Sequence, residues 1–355
     1  MTDKKYTLGI DIGSTTVKIA ILDEENQLLF ADYERHFANI QETLSDLLGR
    51  ALYKLGSIQV SPVITGSGGL TLAKHLGVPF VQEVIAVSTA LQDYAPQTDV
   101  AIELGGEDAK IIYFEGGNVE QRMNGVCAGG TGSFIDQMSI LLKTDADGLN
   151  ALAENHTIIY PIAARCGVFA KSDVQPLLNE GAAREDIAAS ILQAVVTQTI
   201  SGLAQGRPIK GNIVFLGGPL HFLPQLRRQF EETLKDNAKS FKTPENAQLF
   251  VAIGAALMYE DKTSDIDTLI SQLANAKSVD AEITRMRKLF ETEEERKEFF
   301  DRHSKDVARR KDISTANGPV FLGLDVGSTT IKAALINEDG DILYDYYGKN
   351  EGSPI

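Results

Sequence analysis

The most constraining feature of this 355-residue sequence is a motif that occurs twice. Leu8–Lys18 reads LGIDIGSTTVK, and Leu322–Lys332 reads LGLDVGSTTIK, 314 residues further on. An ungapped alignment of residues 8–33 with 322–347 gives 12 identities in 26 positions. A repeat of this kind indicates duplicated structural modules. Because the second copy reaches the end of the sequence within its opening strands, we expect the chain to be part of a longer protein that holds two modules.

Hydrophobic periodicity divides the first module into two similar halves. In each half, alternating apolar residues predict a run of three strands, and the first strand of each run ends in a polar, glycine-rich turn. The predicted strands are 6–12, 17–23 and 27–34, followed after a break by 100–104, 110–114 and 118–123. This arrangement predicts an α/β fold with two similar domains and a cleft between them.

The same patterns give predicted domain boundaries. We place a first subdomain at residues 4–95, and a second subdomain, which carries both cysteines, at 96–245. Residues 261–318 mix acidic and basic side chains at helical spacings, which predicts a charged helical linker. Residues 319–355 are then the start of the second module.

The repeated motif joins two apolar strands through a polar turn that suits a phosphate. Glycine permits a tight turn, and successive backbone N–H groups with hydroxyls can surround a phosphate. Asp11 is placed to bind Mg²⁺ or its water ligands, and Lys18 adds a positive charge. The spacing is not that of a Walker A loop. The predicted phosphate-binding residues are Gly13, Ser14, Thr15, Thr16 and Lys18.

A second turn of the same kind follows the strand that ends near residue 104. Its sequence, ELGGEDAK, places Gly105 and Gly106 between two acidic residues, Glu103 and Asp108. Two such turns are expected to face each other across one triphosphate. We assign Glu103 and Asp108, together with Asp11, as the catalytic carboxylates.

A third glycine-rich turn ends the apolar strand IVFL. Gly217, Gly218 and Pro219 would let a flat base and ribose lie against the backbone. Thr131 and Gly132, in another glycine-rich segment, are also assigned to the nucleotide site. The order of the three turns resembles that of the actin-like ATPase superfamily over residues 4–260. The resemblance implies two ribonuclease-H-like domains that close on ATP or ADP with Mg²⁺. It also implies that the late helix, Ala247–Tyr259, returns to the first domain, so that the first subdomain is 4–95 plus 246–260.

The sequence contains only two cysteines, and each precedes a predicted helix. Cys127 lies in NGVCAGGTGSF and Cys166 in ARCGVFAKSDV. A helix N-terminus stabilises a thiolate or an anionic cluster. Two buried apolar thiols and a catalytic Cys–His pair are the alternatives, and the polar, glycine-rich surroundings disfavour the first. Two thiols are too few for a four-cysteine iron–sulfur site, but a two-fold dimer supplies four.

The cysteine segments and the nucleotide turns together resemble a specific family, the ATP-dependent activators of 2-hydroxyacyl-CoA dehydratases and the related ATPase subunits of benzoyl-CoA reductases. The resemblance implies a [4Fe–4S] cluster held by Cys127 and Cys166 of two chains, as a homodimer, or of two activator modules. It also implies ATP-driven transfer of a low-potential electron to a dehydratase-like partner. The family commonly has Asp-x-Gly-Gly-Gln-Asp at the second turn, where this chain has Glu103 and Glu107. The longer acid at 103 predicts altered metal geometry and hydrolysis rate.

Two other functions fit the superfamily. One is a small-molecule, sugar-type kinase in which Gly129–Gly132 binds substrate or phosphate, and the other is a nucleotide-controlled interaction module. A net charge of −15 argues against nucleic acid or anionic membranes as partners. Met1–Tyr6 has no apolar signal-peptide core, and we expect no stretch of about 18 residues apolar enough to span a bilayer. A cytoplasmic location is therefore expected.

Overall fold

The computed structural model describes residues 5–124, 129–163, 166–275, 287–327 and 329–349. The chain divides into two compact units. The first unit is Met1–Val174 with Ala182–Ala276, and the second is Gln175–Gly181 with Lys277–Ile355.

Elements of the first unit follow the predicted order closely. Its first part contains β1 (Tyr6–Ile12), β2 (Thr16–Leu22), β3 (Leu28–Arg35), α1 (Ile40–Leu55), β4 (Gln59–Thr65), α2 (Gly69–Leu76) and α3 (Glu83–Tyr94). Next come β5 (Val100–Leu104), β6 (Ala109–Glu115), β7 (Asn118–Met123), α4 (Gly132–Leu141), α5 (Ala146–Ala153), α6 (Gly167–Asn179) and α7 (Arg184–Thr199). The last are β8 (Gly211–Leu216), α8 (Gly218–Phe222), α9 (Pro224–Leu234), β9 (Ala238–Lys242), α10 (Phe250–Leu257), β10 (Ser264–Asp265) and α11 (Ile266–Asn275).

Two five-stranded sheets organise this unit. The first has the order β10-β4-β1-β2-β3, with β1 antiparallel to β2 and parallel to β4. The second has the order β7-β6-β5-β8-β9, with β5 antiparallel to β6 and parallel to β8. In both sheets the first strand of the meander, β1 or β5, therefore lies beside a later parallel strand, β4 or β8. Because parallel strands end at the same edge of a sheet, the turn that follows β1 or β5 lies beside the C-terminal end of that neighbour.

A layer of two helices, α3 and α10, lies between the sheets. One hydrophobic cluster contains residues of both helices, of β2 in the first sheet, and of β5, β6 and β8 in the second. The opposite face of the first sheet packs on α1, α2 and α11. Gly9 of β1 faces α10 so closely that a Cβ atom there would lie 1.8 Å from the Ala252 carbonyl oxygen. The sheet and the helix can approach this closely only because residue 9 lacks a side chain.

The predicted linker does not begin at residue 261. Ser264–Asp265 pairs with β4 as an edge strand, and Ile266, Leu269 and Leu273 are buried against the first sheet. The boundary differs because α11 has an apolar side, in addition to the charged residues from which the linker was predicted. Further along, the predicted helical segment contains α12 (Glu293–His303), which is shorter than expected.

The helical stretch that follows β8 is interrupted. The structure has α8 and α9 there, and the break falls at Leu223, directly before Pro224. A proline cannot donate a helical hydrogen bond and restricts the residue before it, which explains the break.

An apolar stretch at residues 184–204 contradicts one expectation. Its 21 helical residues contain an 18-residue window with a mean hydropathy of 1.5, so by length and composition it is able to span a bilayer. It consists of α7 and a π-helical turn, and 67% of its most apolar window is buried inside the chain. The stretch therefore serves as a core helix of the first unit.

The second unit contains the repeated motif in a different environment. Its strands β11 (Val320–Val326), β12 (Thr330–Asn337) and β13 (Ile342–Lys349) form an antiparallel sheet. Leu8 and Ile10 of β1 are fully buried, but their counterparts Leu322 and Leu324 are 62% and 66% exposed. Within the described residues β11 pairs only with β12, whereas β1 has a second neighbour and helices on both faces.

The repeat provides a matched test of the contact between β1 and α10. We expect Gly9→Ala to lower the free energy of unfolding of the first unit by about 1–3 kcal/mol or more, because the added methyl group forces the sheet and helix apart. Gly323→Ala is the control, since its Cβ atom would lie 3.8 Å from the nearest atom, and its effect should stay within about 0.5 kcal/mol. Urea denaturation measures both, and equal effects would contradict this packing.

Candidate nucleotide site and cysteine helices

The turn between β1 and β2 is closed by its own backbone and by a buried ion pair. The Gly13 N–H donates to the Thr16 carbonyl at 2.9 Å. Asp11 and Lys18 are register partners, and the Lys18 Nζ lies 2.6 Å from the Asp11 Oδ2. Burial alone would lower the pKa of Lys18, but the Asp11 carboxylate outweighs it and raises that pKa above its usual value. Lys18 is therefore held charged at the turn.

A histidine that the sequence analysis did not single out supports this turn. The backbone N–H of His36 donates to the Thr15 carbonyl at 3.1 Å. Its ring Nδ1 accepts from the Ala38 N–H at 3.0 Å, so the ring proton belongs on Nε2, which lies 3.2 Å from the Gly13 carbonyl oxygen. The buried ring thus positions the first phosphate turn.

The second turn, between β5 and β6, directly faces the first. The Gly105 N–H donates to the Asp108 carbonyl at 2.8 Å, which closes the turn. A Cβ atom at Gly106 would lie 2.0 Å from the Thr15 Oγ1, so only glycine allows this approach. Gly13 and Gly105 therefore lie in turns that meet across the two sheets, as two loops around one triphosphate require.

A buried cluster of charges lies beneath the second turn. The Lys110 Nζ lies 2.5 Å from Glu83 Oε2, 2.6 Å from Asp108 Oδ2 and 3.6 Å from Glu103 Oε1. Burial raises the pKa of Glu103 to about 7; Lys110 opposes this rise, and Asp108 and Glu83 add to it. One ammonium group cannot neutralise three carboxylates. The carboxylate that is most shielded from water takes up a proton most easily, and Glu103 is the most buried of the three.

Glu103 also has an unsatisfied oxygen. Its Oε2 is buried, and no hydrogen-bond partner for it is present among the described residues. Glu103 lines the cleft between the two phosphate turns. A buried acceptor without a partner requires a ligand, and a water molecule or a cation in the cleft would supply one.

The third turn completes one wall of the cleft. Gly217 has a positive φ of 88°, and a Cβ atom there would lie 2.0 Å from the Leu104 carbonyl oxygen. Across the cleft, the Tyr33 hydroxyl approaches Gly218, and the rings of Tyr33 and Phe222 meet edge to face with centroids 5.7 Å apart. An aromatic side chain beside a glycine-rich turn suits a planar base.

These elements enclose a cleft of about 470 Å³, a volume typical of sites for small ligands. Of the predicted nucleotide residues, it is lined by Thr15, Thr16, Lys18, Glu103, Gly105, Gly106, Gly132, Gly217, Gly218 and Pro219. Asp11, Gly13, Ser14, Asp108 and Thr131 are not part of this lining; Asp11 contacts the cleft residue Lys18, and Asp108 contacts Lys110 beneath the second turn.

Several cleft residues were missed by the sequence analysis. They are Tyr33, Arg35, Asp136, Asp145, Asp147 and Phe222. Strand alternation provides a signal for the first two, because Lys18 pairs in register with Tyr33, and Thr16 with Arg35. The others lie on helices or at their ends, and no local pattern in the sequence identifies them.

The second phosphate turn is bonded to the start of α4. The Gly132 N–H donates to the Gly105 carbonyl at 3.0 Å, and the Ser133 N–H donates to the Gly106 carbonyl at 2.7 Å. α4 is the helix that follows the segment of Cys127, although Cys127 itself lies outside the described residues. Any displacement of this phosphate turn therefore acts directly on the N-terminus of α4.

Cys166 lies one residue before α6. It is half-buried with a free thiol, and its carbonyl accepts the Ala170 N–H at 2.9 Å. A Cβ atom at Gly167 would lie 3.0 Å from the Gln137 Oε1, so the start of α6 packs on α4. Within the described ranges no group of three or more His, Cys, Asp and Glu side chains could hold a metal ion.

Comparisons with known proteins agree with this geometry. Residues 8–258 match the BadF/BadG/BcrA/BcrD ATPase family. The (R)-2-hydroxyglutaryl-CoA dehydratase activating ATPase of Acidaminococcus fermentans is 31% identical over 71% of this chain and 96% of that protein. The activator of lactoyl-CoA dehydratase of Anaerotignum propionicum is 30% identical over 60% of this chain and 83% of that protein.

A solved structure is also similar. The activator of the 2-hydroxyisocaproyl-CoA dehydratase from Clostridium difficile, with bound ADPNP, has a TM-score of 0.62 and 26% identity over 78% of this chain and all of that protein. The predicted α/β, actin-like fold class is thereby confirmed. The family match covers most of the chain, including all three glycine-rich turns. This chain belongs to the BadF/BadG/BcrA/BcrD ATPase family.

Proposed function

We propose that this chain is an ATP-driven activator that delivers a low-potential electron to a 2-hydroxyacyl-CoA dehydratase-like protein. The observation that carries the proposal is the pair of backbone hydrogen bonds from Gly132 and Ser133 to Gly105 and Gly106. They join a phosphate-binding turn to the helix behind Cys127. A kinase needs no such connection, whereas an activator has to convert the nucleotide state into a change at its cysteines.

In this proposal the two facing turns hold the phosphates of ATP, with Thr15 and Thr16 on one side and Gly105 and Gly106 on the other. Asp11 would hold Mg²⁺, which usually takes one or two carboxylates, phosphate oxygens and waters. Such a site fits the described residues because the orphaned Glu103 oxygen at the cleft could accept a hydrogen bond from a water molecule beside the ion. When bound, Mg²⁺ would neutralise charge that develops on the phosphates.

Glu103 is proposed as the base for hydrolysis. A base has to take a proton from the attacking water at neutral pH, and a carboxylate with a pKa near 7 is suited to that task. Lys110 fixes the position of Asp108 and limits the rise in the pKa of Glu103. Asp108 then acts by closing the second turn around the phosphates.

The cysteines are proposed to hold half of an iron–sulfur cluster. Cys166 fits this role because its accessible thiol precedes α6, where the helix dipole favours an anion. With Cys127, two chains as a homodimer, or two modules of one longer protein, would supply the four thiolates of a [4Fe–4S] cluster, which stores the transferred electron when bound. The domain boundaries at 4–95 plus 246–260 and at 96–245, and a cytoplasmic location, remain part of the proposal.

The nucleotide part is tested on Asp11, with Asp325 of the repeat as control. Alanine and asparagine at position 11 both remove the carboxylate that pairs with Lys18; we choose Asp11→Asn because it keeps the volume and its amide oxygen can still accept a hydrogen bond from Lys18. Mg²⁺-dependent ATP hydrolysis should fall at least about a hundredfold. Asp325 makes the same contact with Lys332, at 2.7 Å, but is 64% exposed, so Asp325→Asn should hydrolyse ATP like the parent. Equal losses in both variants would contradict the site.

Glu103 predicts a pH dependence of hydrolysis. Because its pKa is raised to about 7, the base is mostly protonated below that pH, and kcat/KM should rise as the pH increases through about 7. Glu103→Gln should lower the rate and abolish the rise. The raised pKa also affects the stability of the fold. Between about pH 4.5 and 7 the folded chain keeps a proton on Glu103 that the unfolded chain loses, so the contribution of Glu103 to the free energy of unfolding falls as the pH rises through this range. A parent profile that is flat from about pH 6 to 8 would rule out this role.

Iron content tests the proposed cluster. Anaerobically reconstituted protein should bind about four iron ions per two chains and show broad visible absorption from sulfur-to-iron charge transfer. Cys127→Ser and Cys166→Ser should each lose the iron, because each removes two of the four thiolates of a symmetric site. Both should keep the parent's affinity for ATP, since the cleft is built from other residues. Either variant binding as much iron as the parent would disprove the cluster.

A further inference from the structure

One ion pair crosses the nucleotide cleft. The Arg35 Nη1 lies 2.8 Å from the Asp136 Oδ2. Arg35 is the last residue of β3 in the first sheet, and Asp136 lies in the second turn of α4, the helix bonded to the second phosphate turn. Both side chains line the cleft. This contact therefore joins the first sheet to the helix that leads back to Cys127.

Arg35 is placed within reach of the phosphates. It is the register partner of Thr16, a residue of the first phosphate turn. A guanidinium group binds phosphate through two parallel N–H donors, and a phosphate with its greater charge is a stronger acceptor than a single carboxylate. The nucleotide would therefore compete with Asp136 for the same side chain.

The existing ion pair is weak enough to be exchanged. The side chains of Arg35 and Asp136 are 52% and 36% exposed. Exposed pairs of this kind typically shift an equilibrium by no more than about fivefold. A charge-assisted bond from arginine to a phosphate inside the cleft is stronger, because fewer water molecules screen it.

α4 also contacts the other cysteine helix. Gln137, the residue after Asp136, packs against Gly167, which directly follows Cys166. α4 thus links three parts of the proposed site: the second phosphate turn at its start, Arg35 through Asp136, and the start of α6 through Gln137. Release of the Arg35–Asp136 pair would remove this contact between α4 and the first sheet and leave its contacts with the second phosphate turn, α5, α6 and α7 in place.

We propose that Arg35 is a nucleotide-phosphate ligand that Asp136 holds in reserve. Without nucleotide, Arg35 pairs with Asp136 and ties α4 to the first sheet. With nucleotide, Arg35 transfers to a phosphate oxygen, and α4 loses its tie to the first sheet. The proposal rests on the proposed nucleotide site, and it adds a residue through which the phosphates reach the cysteine helices.

Affinity for a non-hydrolysable ATP analogue with Mg²⁺, measured by titration calorimetry on the full chain, tests this exchange. Arg35→Gln should weaken binding about tenfold or more, because one charge-assisted bond is lost. Asp136→Asn should tighten binding about three- to fivefold, because Arg35 no longer has to leave a partner. In the Arg35→Gln background the gain from Asp136→Asn should disappear, since there is no arginine left to release.

A second arginine gives the control. Arg50 is 48% exposed and its Nε lies 2.7 Å from the Asp32 Oδ2, but it lies on α1 and does not line the cleft. Arg50→Gln should bind nucleotide like the parent. If Asp136→Asn does not tighten binding, or tightens it equally in the Arg35→Gln background, the exchange is wrong and only a general charge effect exists.

Two further measurements keep the outcomes distinct. Thermal unfolding of each variant shows whether it is folded. If Arg35→Gln does not fold, Arg35→Lys takes its place. Lysine keeps the charge but lacks the two parallel donors of arginine, so nucleotide binding should still weaken. A parent chain that binds no nucleotide would overturn the proposed nucleotide site itself. A parent that binds normally, with variants that behave like Arg50→Gln, would overturn only the role of Arg35.

Discussion

The structure of the candidate site depends on one buried ammonium group. Lys110 is 3% exposed, and its Nζ is shared by Glu83 at the start of α3 and by Asp108 and Glu103 at the second phosphate turn. Burial alone would lower the pKa of Lys110, but the three carboxylates hold it well above its usual value, so the group stays charged. Loss of this charge would leave the buried carboxylate of Glu103 and the half-buried carboxylates of Glu83 and Asp108 uncompensated. The second phosphate turn and α3, which lies in the helix layer between the sheets, are therefore held in one fixed relation.

This fixed relation gives the phosphate turns a rigid base and leaves α4 as the element that can respond. Its N-terminus is bonded to Gly105 and Gly106, and Gln137 packs against the residue after Cys166. A shift at the phosphates is thus passed to both cysteine segments through a single helix. The repeat supports the importance of context: Asp325 and Lys332 keep the geometry of the first copy, but they lie in an exposed sheet.

Much of the fold could be predicted because alternation and glycine-rich turns are local signals. Predicted strands of the first two meanders match the structure to within one residue at each end. The site was harder to predict. His36 and Asp136 act through contacts with residues distant in sequence, and nothing local marks them, whereas strand alternation gives a signal for Arg35. The raised pKa of Glu103 depends on its burial, which only the packed structure defines. The boundary at residue 261 was misplaced because the apolar side of α11 is short.

Hydrogen–deuterium exchange with and without Mg²⁺ and a non-hydrolysable ATP analogue tests the central claim most directly. That claim is that three turns distant in sequence form one nucleotide site joined to α4. Nucleotide should slow exchange together at residues 12–17, 104–109 and 216–220, and should change exchange at 130–141 in the same experiment. Residues 325–332, the second copy of the motif, should not respond. Protection confined to one turn, or protection of 325–332 in place of 12–17, would contradict the account.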